Sequence, residues 1–124
     1  IDAKGPIGVV AILAGGFDSR VKTVCVEGGL VGFVPPDEAA WRGLAMGLIA
    51  PKLLRYGDIG RISALISPRR LIVIGGVEST GETASEARVG EAFKYTAAVY
   101  KLLAADDAFE IAKSRATSTL LPRA

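Results

Sequence analysis

Two short runs of β-forming apolar residues constrain the fold of this chain more than any other feature of its sequence. Leu71–Ile74 lies between Arg69-Arg70 and Gly75-Gly76, and an apolar run of this length bounded by turn residues is typical of a buried strand. The run from Val21 to Glu27 is rich in β-branched residues and alternates only weakly, as strands do when both faces of a parallel sheet are covered. Both runs are therefore predicted as strands of a parallel sheet.

Helical patterns alternate with these strands along the chain. The sequence predicts a third, short strand at Ala108–Ala112 and an irregular tail at 113–124. The first predicted helix is buried and nearly all apolar, runs from Ile7 to Ala14 and stops at Gly15-Gly16. The second spans Glu38–Ile49 with Asp37 as its cap, and the third runs from the cap Asp58 to near Pro68. The fourth begins at a capping box formed by Thr83 and Glu86 and ends at about Ala105. This order predicts one α/β domain over residues 1–124, a three-layer arrangement in which helices flank a small parallel sheet of about three strands.

A sheet of three parallel strands has consequences for assembly. It leaves an apolar edge, which we expect at the strand Val21–Glu27 or wherever missing neighbouring strands would pair, and an unpaired edge is a template for another strand. The sequence therefore predicts either a homo-oligomer or a further part of the same fold that covers this edge.

Charge and hydropathy exclude several classes of partner. The net charge of +2 comes from 15 basic and 13 acidic residues that form no long block of one sign, so we expect no nucleic-acid partner. The apolar stretch from Ile7 to Phe17 is interrupted by glycines and is shorter than a membrane span. We therefore expect no membrane partner either.

The residues available for chemistry are few, because the chain contains no histidine and one cysteine. Histidine is the usual proton shuttle near neutral pH and a common metal ligand. Cys25 lies between Val24 and Val26, where a thiol is expected to be a small buried apolar group. We predict neither a metal site nor a cofactor.

Several segments resemble one known family. The run from Asp58 to Val73 contains Ala64-Leu65-Ile66-Ser67-Pro68-Arg69, which resembles the helix and strand before the acid loop of α/β-hydrolase esterases. Ala14–Val26 is similar to the helix and strand that follow the nucleophile in that fold, and Tyr95–Ile111 is similar to its last helix and strand. The chain thus resembles the C-terminal half of the α/β-hydrolase superfamily, in the acetyl-xylan-esterase-like and glucuronoyl-esterase-like branch.

The resemblance implies positions for a catalytic triad of serine, acid and histidine. The nucleophile turn is expected within Ile1–Gly8, which has no Ser, Cys or Thr, and Ala3 would occupy the place of the serine. Glu78 is the candidate for the acid, with a solvated loop residue or a helix-dipole partner as the alternative interpretation. The histidine would follow Ile111, where Lys113, Ser114 and Arg115 stand instead.

These observations leave three hypotheses for function. The first is an α/β-hydrolase-like domain without the triad serine and histidine, non-catalytic and stabilised by association. The second is the C-terminal part of a carboxylic-ester hydrolase, similar to acetyl esterases, whose nucleophile is supplied by another segment or partner. The third is a small-ligand binding domain that uses the crevice at Gly28-Gly29 and Gly75-Gly76, since open α/β sheets bind ligands beyond the carboxyl ends of their strands.

Overall fold

The computed structural model describes residues 1–34, 47 and 50–121. Within these ranges one all-parallel sheet of four strands has the order β1-β2-β3-β4. The strands are β1 (Asp2–Lys4), β2 (Thr23–Glu27), β3 (Arg70–Ile74) and β4 (Phe109–Ala112). The helices are α1 (Gly8–Phe17), α2 (Ile59–Ile62), α3 (Glu86–Ala92) and α4 (Lys94–Leu102). The α/β class with a small parallel sheet is confirmed, with one strand more than the sequence predicted.

The additional strand is β1, at the place where the sequence predicted only a turn. Its middle residue, Ala3, is buried and pairs with Val26 of β2. The prediction of an open edge at the strand of Val21–Glu27 is therefore wrong, because β1 covers that side, and β2 itself begins two residues later than predicted. The outer strands of the described sheet are β1 and β4.

Helix α1 continues beyond its predicted end. Gly15 and Gly16 were expected to stop it, but it runs to Phe17. A Cβ atom on Gly15 would lie 2.4 Å from a methyl group of Val24, and one on Gly16 would lie 3.3 Å from Leu65. The two glycines therefore allow α1 to pack closely against the sheet and the neighbouring helix instead of ending the helix.

The segment before β3 agrees with its prediction where it is described. The carboxylate of Asp58 caps α2 by accepting a hydrogen bond from the Ile59 N–H at 2.7 Å, and a 3₁₀ turn at Ser63–Ile66 continues the helix. The helix predicted at Glu38–Ile49, with its cap Asp37, lies outside the described residues apart from Gly47.

The long helix predicted from Thr83 to Ala105 is two helices. The N-cap of α3 is Ser85, whose hydroxyl accepts a hydrogen bond from the Arg88 N–H, so the predicted capping box is wrong. The chain leaves helical geometry at Phe93 and resumes it in α4. Four residues of these helices and the junction between them are buried, namely Val89, Phe93, Thr96 and Tyr100, whereas Leu103 is exposed.

The two faces of the sheet have different covers. One face, called here the helix face, contributes Val24, Val26, Leu71 and Val73 to the core that contains the buried side chains of α1, α2 and α4. The opposite face, called the tail face, presents Cys25, Ile72, Ile74 and Ala112, which pack against Leu120 and Leu121. The third layer of the domain is thus the tail, in which a 3₁₀ turn at Arg115–Thr117 is the regular element of the described part, 113–121.

Carboxylates attach the tail to the sheet at both sides. Arg115 donates hydrogen bonds to Glu27, at 2.7 Å from Nε to Oε2, and to Asp2. Glu110 accepts hydrogen bonds from Ser118, Thr119 and Leu120. The hydrogen bond from Arg115 lowers the pKa values of both Asp2 and Glu27, since it favours the charged form of each carboxyl group.

Candidate functional site

The carboxyl ends of the four parallel strands lie at one edge of the sheet, where open α/β sheets place their ligands. Four segments of the chain leave the sheet there. They begin at Gly5 after β1, at Gly28 after β2, at Gly75 after β3 and at Lys113 after β4. Glu78, the two diglycine segments and Lys113, Ser114 and Arg115 belong to these segments.

The turn between β1 and α1 is the position at which the resemblance requires a nucleophile. Ala3 lies in the middle of β1 and is buried, so the prediction that it occupies this turn is wrong. The residue at the turn is Gly5, whose φ of +65° lies in the left-handed region that favours glycine. Gly5 has no side chain, so this turn supplies no nucleophile.

Glu78 follows β3 in a tight turn. Its N–H donates to the Glu82 carbonyl and its own carbonyl accepts from the Gly81 N–H. Its side chain is only 11% exposed, and Oε1 accepts a hydrogen bond from Nε of Arg88 at 2.8 Å. The interpretation as a solvated loop residue is therefore wrong: Glu78 is a nearly buried carboxylate in an ion pair.

The second oxygen of Glu78 is chemically the more informative one. Oε2 is buried and accepts no hydrogen bond from the described part of the chain, and the same holds for the hydroxyl of the next residue, Ser79, which is 1% exposed. Buried polar oxygens are normally paired, because leaving one unpaired costs about 1–3 kcal/mol. This pair of oxygens is the place at the sheet edge where a hydrogen-bond donor would be stabilised.

Gly32 lies close to the side chains of both Arg88 and Asp58. A Cβ atom on Gly32 would lie 3.1 Å from Oδ2 of Asp58 and 3.6 Å from Nη2 of Arg88. Asp58 itself accepts hydrogen bonds from the N–H groups of Phe33 and Val34. Two separate contacts therefore act at this edge: the Glu78–Arg88 ion pair joins the segment after β3 to α3, and Asp58 binds the segment after β2.

The two diglycine segments predicted to border a ligand crevice are bonded to each other. The Val77 N–H donates to the Gly29 carbonyl at 2.9 Å, and the Val31 N–H donates to the Val77 carbonyl at 3.0 Å. A Cβ atom on Gly76 would lie 2.3 Å from a methyl group of Val31. The space between these segments is filled by backbone and the Val31 side chain, and ligand binding in this crevice stays a prediction.

An open cavity of about 470 Å³ lies one strand further along the same edge, between the ends of β3 and β4 and helix α3. Lys113 forms an ion pair with Glu86 beside it, at 3.0 Å. Its lining residues are Gly75, Thr83, Ala84, Glu86, Val89, Gly90, Ile111, Ala112 and Lys113. Glu78 is not among these residues, so the predicted acid and the cavity are separate features.

Cys25 is the remaining candidate nucleophile among the described strands. It lies in the middle of β2 on the tail face and is 2% exposed. Burial raises the pKa of its thiol, because the thiolate is poorly solvated there. The predicted structural role of Cys25 as a buried apolar residue is confirmed by its burial.

The geometry brings together a different set of residues from the one that the sequence suggested. Glu78 is at the predicted edge, but its partner is Arg88, ten positions later in the first turns of α3, and no pattern in the sequence indicated that pairing. After β4, Lys113 and Arg115 bind carboxylates instead of facing Glu78. The arrangement can hold a hydrogen-bond donor at Glu78, and the neighbouring hydroxyl of Ser79 has no hydrogen-bond partner among the described residues that could act as its base.

Comparisons with protein-family models, with curated proteins and with solved structures gave no match. Within the described ranges, none of the helices is long and apolar enough to cross a membrane.

Proposed function

We propose that this chain is an α/β-hydrolase-like module without serine-hydrolase chemistry of its own, and that it works in association with another protein surface. The observation that carries the proposal is the outer side of α1. The helix reads Gly-Val-Val-Ala-Ile-Leu-Ala-Gly-Gly-Phe and contains no polar side chain, yet Val10 is 53% exposed and Phe17 is 74% exposed. Covering these side chains would contribute roughly 1 kcal/mol or more for each.

The position of α1 strengthens this proposal. Ile7 immediately precedes the helix and is also more than half exposed, and β1, which α1 follows, is an outer strand of the sheet. Among the described residues, an apolar helix side therefore adjoins a strand with one unpaired edge, and exposed apolar surface beside such an edge is typical of interaction sites.

The hydrolase-like part of the proposal is supported by the order of elements and by two empty positions. A strand, a left-handed turn and a helix are followed by three further parallel strands, as the resemblance implies for the C-terminal half of the fold. The turn carries Gly5 where a serine would be needed, and the sequence contains no histidine. Ordinary acyl transfer through a Ser-His pair is therefore not available to this chain alone.

Two measurements on the purified chain test the proposal. Sedimentation velocity at micromolar concentration is expected to show a folded species heavier than the monomer, and Val10→Lys is expected to shift it towards the monomer. Leu102→Lys is the matched control, since Leu102 is equally apolar and 83% exposed but lies at the end of α4. A well-folded monomer at these concentrations would overturn the proposal of association.

A second candidate function is favoured by the unpaired oxygen of Glu78. A carboxylate after a strand end with a buried, free oxygen is suited to accept a hydrogen bond from a histidine supplied by another segment or chain. In that case the protein is the acid-bearing part of a carboxylic-ester hydrolase. Hydrolysis of p-nitrophenyl acetate by this chain together with the segment or chain that supplies the histidine, abolished by a serine-directed fluorophosphonate and absent from the purified chain alone, would support this candidate.

A further inference from the structure

We infer that the associating surface is self-complementary, and that the partner is a second copy of this chain whose β1 pairs antiparallel with β1 about a twofold axis at Ala3. This inference rests on the proposed function, because it names the partner for the surface formed by α1 and β1. Its three supports are the hydrogen-bonding direction of β1, the charges on that strand, and the spacing of exposed residues on α1.

The backbone N–H and C=O groups of β1 that do not bond to β2 belong to Asp2 and Lys4. The Cys25 N–H donates to the Ile1 carbonyl at 2.8 Å, so the groups of Ile1 point at β2, and by strand alternation those of Ala3 do as well. The N–H and C=O groups of Asp2 and Lys4 then point away from β2, towards the open edge. In an antiparallel pair centred on Ala3, Asp2 of each copy lies opposite Lys4 of the other and exchanges both backbone hydrogen bonds with it.

The side chains of these two residues make that register favourable. Asp2 and Lys4 project from the same face of the strand as Cys25 and Glu27, their partners on β2. Pairing about Ala3 places each carboxylate against the ammonium group of the second copy, and opposite charges directly across two strands stabilise a sheet. Lys4 would then lie between its own Glu27, at 3.3 Å, and Asp2 of the second copy.

The other outer strand lacks this property. The Gly75 N–H donates to the Ala112 carbonyl, so the free groups of β4 belong to Phe109 and Ile111. An antiparallel pair that uses both of them is centred on Glu110 and places two copies of this carboxylate side by side. Like charges directly opposite destabilise a sheet, so self-pairing is favoured at β1 and disfavoured at β4.

The exposed residues of α1 fit the same arrangement. Ile7, just before α1, and Val10 are exposed, and Ala14 is half-buried. These three residues, called here the α1 stripe, recur at intervals of three and four residues, the spacing of an interhelical contact. Strands are spaced by about 4.8 Å, and α1 covers β1 and β2, so two copies of α1 would lie about 10 Å apart and antiparallel. This distance is the usual interaxial distance of packed helices, so the stripes of the two copies would meet as the sheets join.

A charge-exchange experiment tests the pairing. Asp2→Lys and Lys4→Asp each place like charges at both contacts of the homodimer, and each variant alone is expected to dimerise on the order of tenfold more weakly than the unmodified chain. Mixing the two variants restores both opposite-charge contacts, so a heterodimer is expected from two weakly associating proteins. Ile111→Lys, at the edge of β4, is the control that should leave dimerisation unchanged.

The outcomes separate this inference from the proposed function. If the chain associates but neither variant weakens the association and the mixture forms no heterodimer, the β1 pairing is wrong while association through another arrangement stands. If the unmodified chain is a folded monomer, both the β1 pairing and the proposed association are wrong. Native mass spectrometry of the mixture, with one variant labelled by ¹⁵N, distinguishes homodimers from the heterodimer directly, and circular dichroism of each variant verifies that it is folded.

Discussion

Replacing Gly60 by alanine tests how closely α2 packs against the junction of α3 and α4. Gly60 is buried in α2, and a Cβ atom added to it would lie 1.8 Å from the carbonyl oxygen of Ala92. Because that oxygen belongs to the backbone, the contact cannot be relieved by rotating a side chain. The two helices would have to separate by roughly one and a half ångströms to reach ordinary packing distances.

The change in the free energy of unfolding for Gly60→Ala is the sum of one stabilising and two destabilising contributions. Alanine is favoured over glycine in a helix by up to about 1 kcal/mol, which by itself would stabilise the variant. Overpacking of a close contact costs about 1–3 kcal/mol. The shift also disturbs the Gly60 carbonyl, which accepts hydrogen bonds from the hydroxyls of Thr96 and Ser63, at about 1 kcal/mol each. We expect Gly60→Ala to destabilise the protein by about 2–4 kcal/mol.

Gly90→Ala is the matched comparison. Gly90 lies in the interior of α3, is exposed, and has no atom within 4 Å of the position of an added Cβ. Here only the helix preference acts, so the variant is expected to gain about 0.5–1 kcal/mol. Urea unfolding followed by far-UV circular dichroism measures both free energies. A Gly60→Ala variant as stable as the unmodified protein, or shifted in the same direction as Gly90→Ala, would refute the close approach of α2 to Ala92.

Three further predictions concern two buried residues, Tyr100 and Cys25, and the half-buried Glu110. Tyr100→Phe keeps the contact with Phe109, whose ring centroid lies 5.3 Å away, but removes the hydrogen bond from the Tyr100 hydroxyl to the Arg69 carbonyl. We expect the free energy of unfolding, measured in urea, to fall by about 1–2 kcal/mol. An unchanged free energy of unfolding would contradict that hydrogen bond. Burial acts to raise the pKa of Glu110, but hydrogen bonds from the tail residues Ser118, Thr119 and Leu120 outweigh it and lower the pKa. The stability that Glu110 contributes is therefore present above its unfolded pKa of about 4.3 and is lost as the pH falls through its lower folded pKa. Glu110→Gln should accordingly reduce stability at pH 7, with a difference from the unmodified protein that narrows below about pH 4; a difference independent of pH would be evidence against the bonds. Cys25, buried and with a raised thiol pKa, should react with Ellman's reagent only as fast as the protein unfolds, and rapid reaction of the native protein would contradict its position.

The parts of the fold that could be predicted are those in which local sequence and tertiary structure agree. Leu71–Ile74 is a strand because four consecutive β-forming residues are bounded by residues that end a strand, and all four are buried. Asp58 caps α2 because its short carboxylate reaches the free N–H at the start of the helix. In both cases residues that are neighbours in sequence determine the result.

The parts that could not be predicted depend on contacts between distant residues. Asp2-Ala3-Lys4 has one apolar side chain and no β-branched residue, and it is a strand because it pairs with Cys25, Val26 and Glu27. The interruption of the predicted long helix at Phe93 adjoins the contact between Ala92 and Gly60. Pairing and close approach of this kind override local preference and leave no periodic pattern in the sequence.

At the candidate site, too, some features follow from the sequence and others depend on contacts between distant residues. The sequence alone excludes catalysis by a histidine of this chain, because the chain contains no histidine. The sequence also predicts that Glu78 follows the carboxyl end of β3. Its ion pair with Arg88 and its unpaired oxygen depend on the turn that brings α3 back to the sheet edge, so only the structure reveals them. The carboxylate of Glu78 is therefore oriented by an arginine, and its second oxygen has no hydrogen-bond donor among the described residues.

The argument for association arises from a disagreement between sequence and structure at α1. Its sequence is apolar on all sides, which is the pattern of a helix that is covered all round, and the prediction of a buried helix followed from it. The structure covers only the side that faces the sheet and α2, and leaves Val10 and Phe17 largely exposed. A helix whose outer side were normally in water would gain solubility from a single lysine or glutamate there at little cost in stability, and α1 has neither. The side that the described residues leave open is therefore the side on which a partner is to be sought, and the neighbouring charges of Asp2 and Lys4 make a second copy the partner to test first.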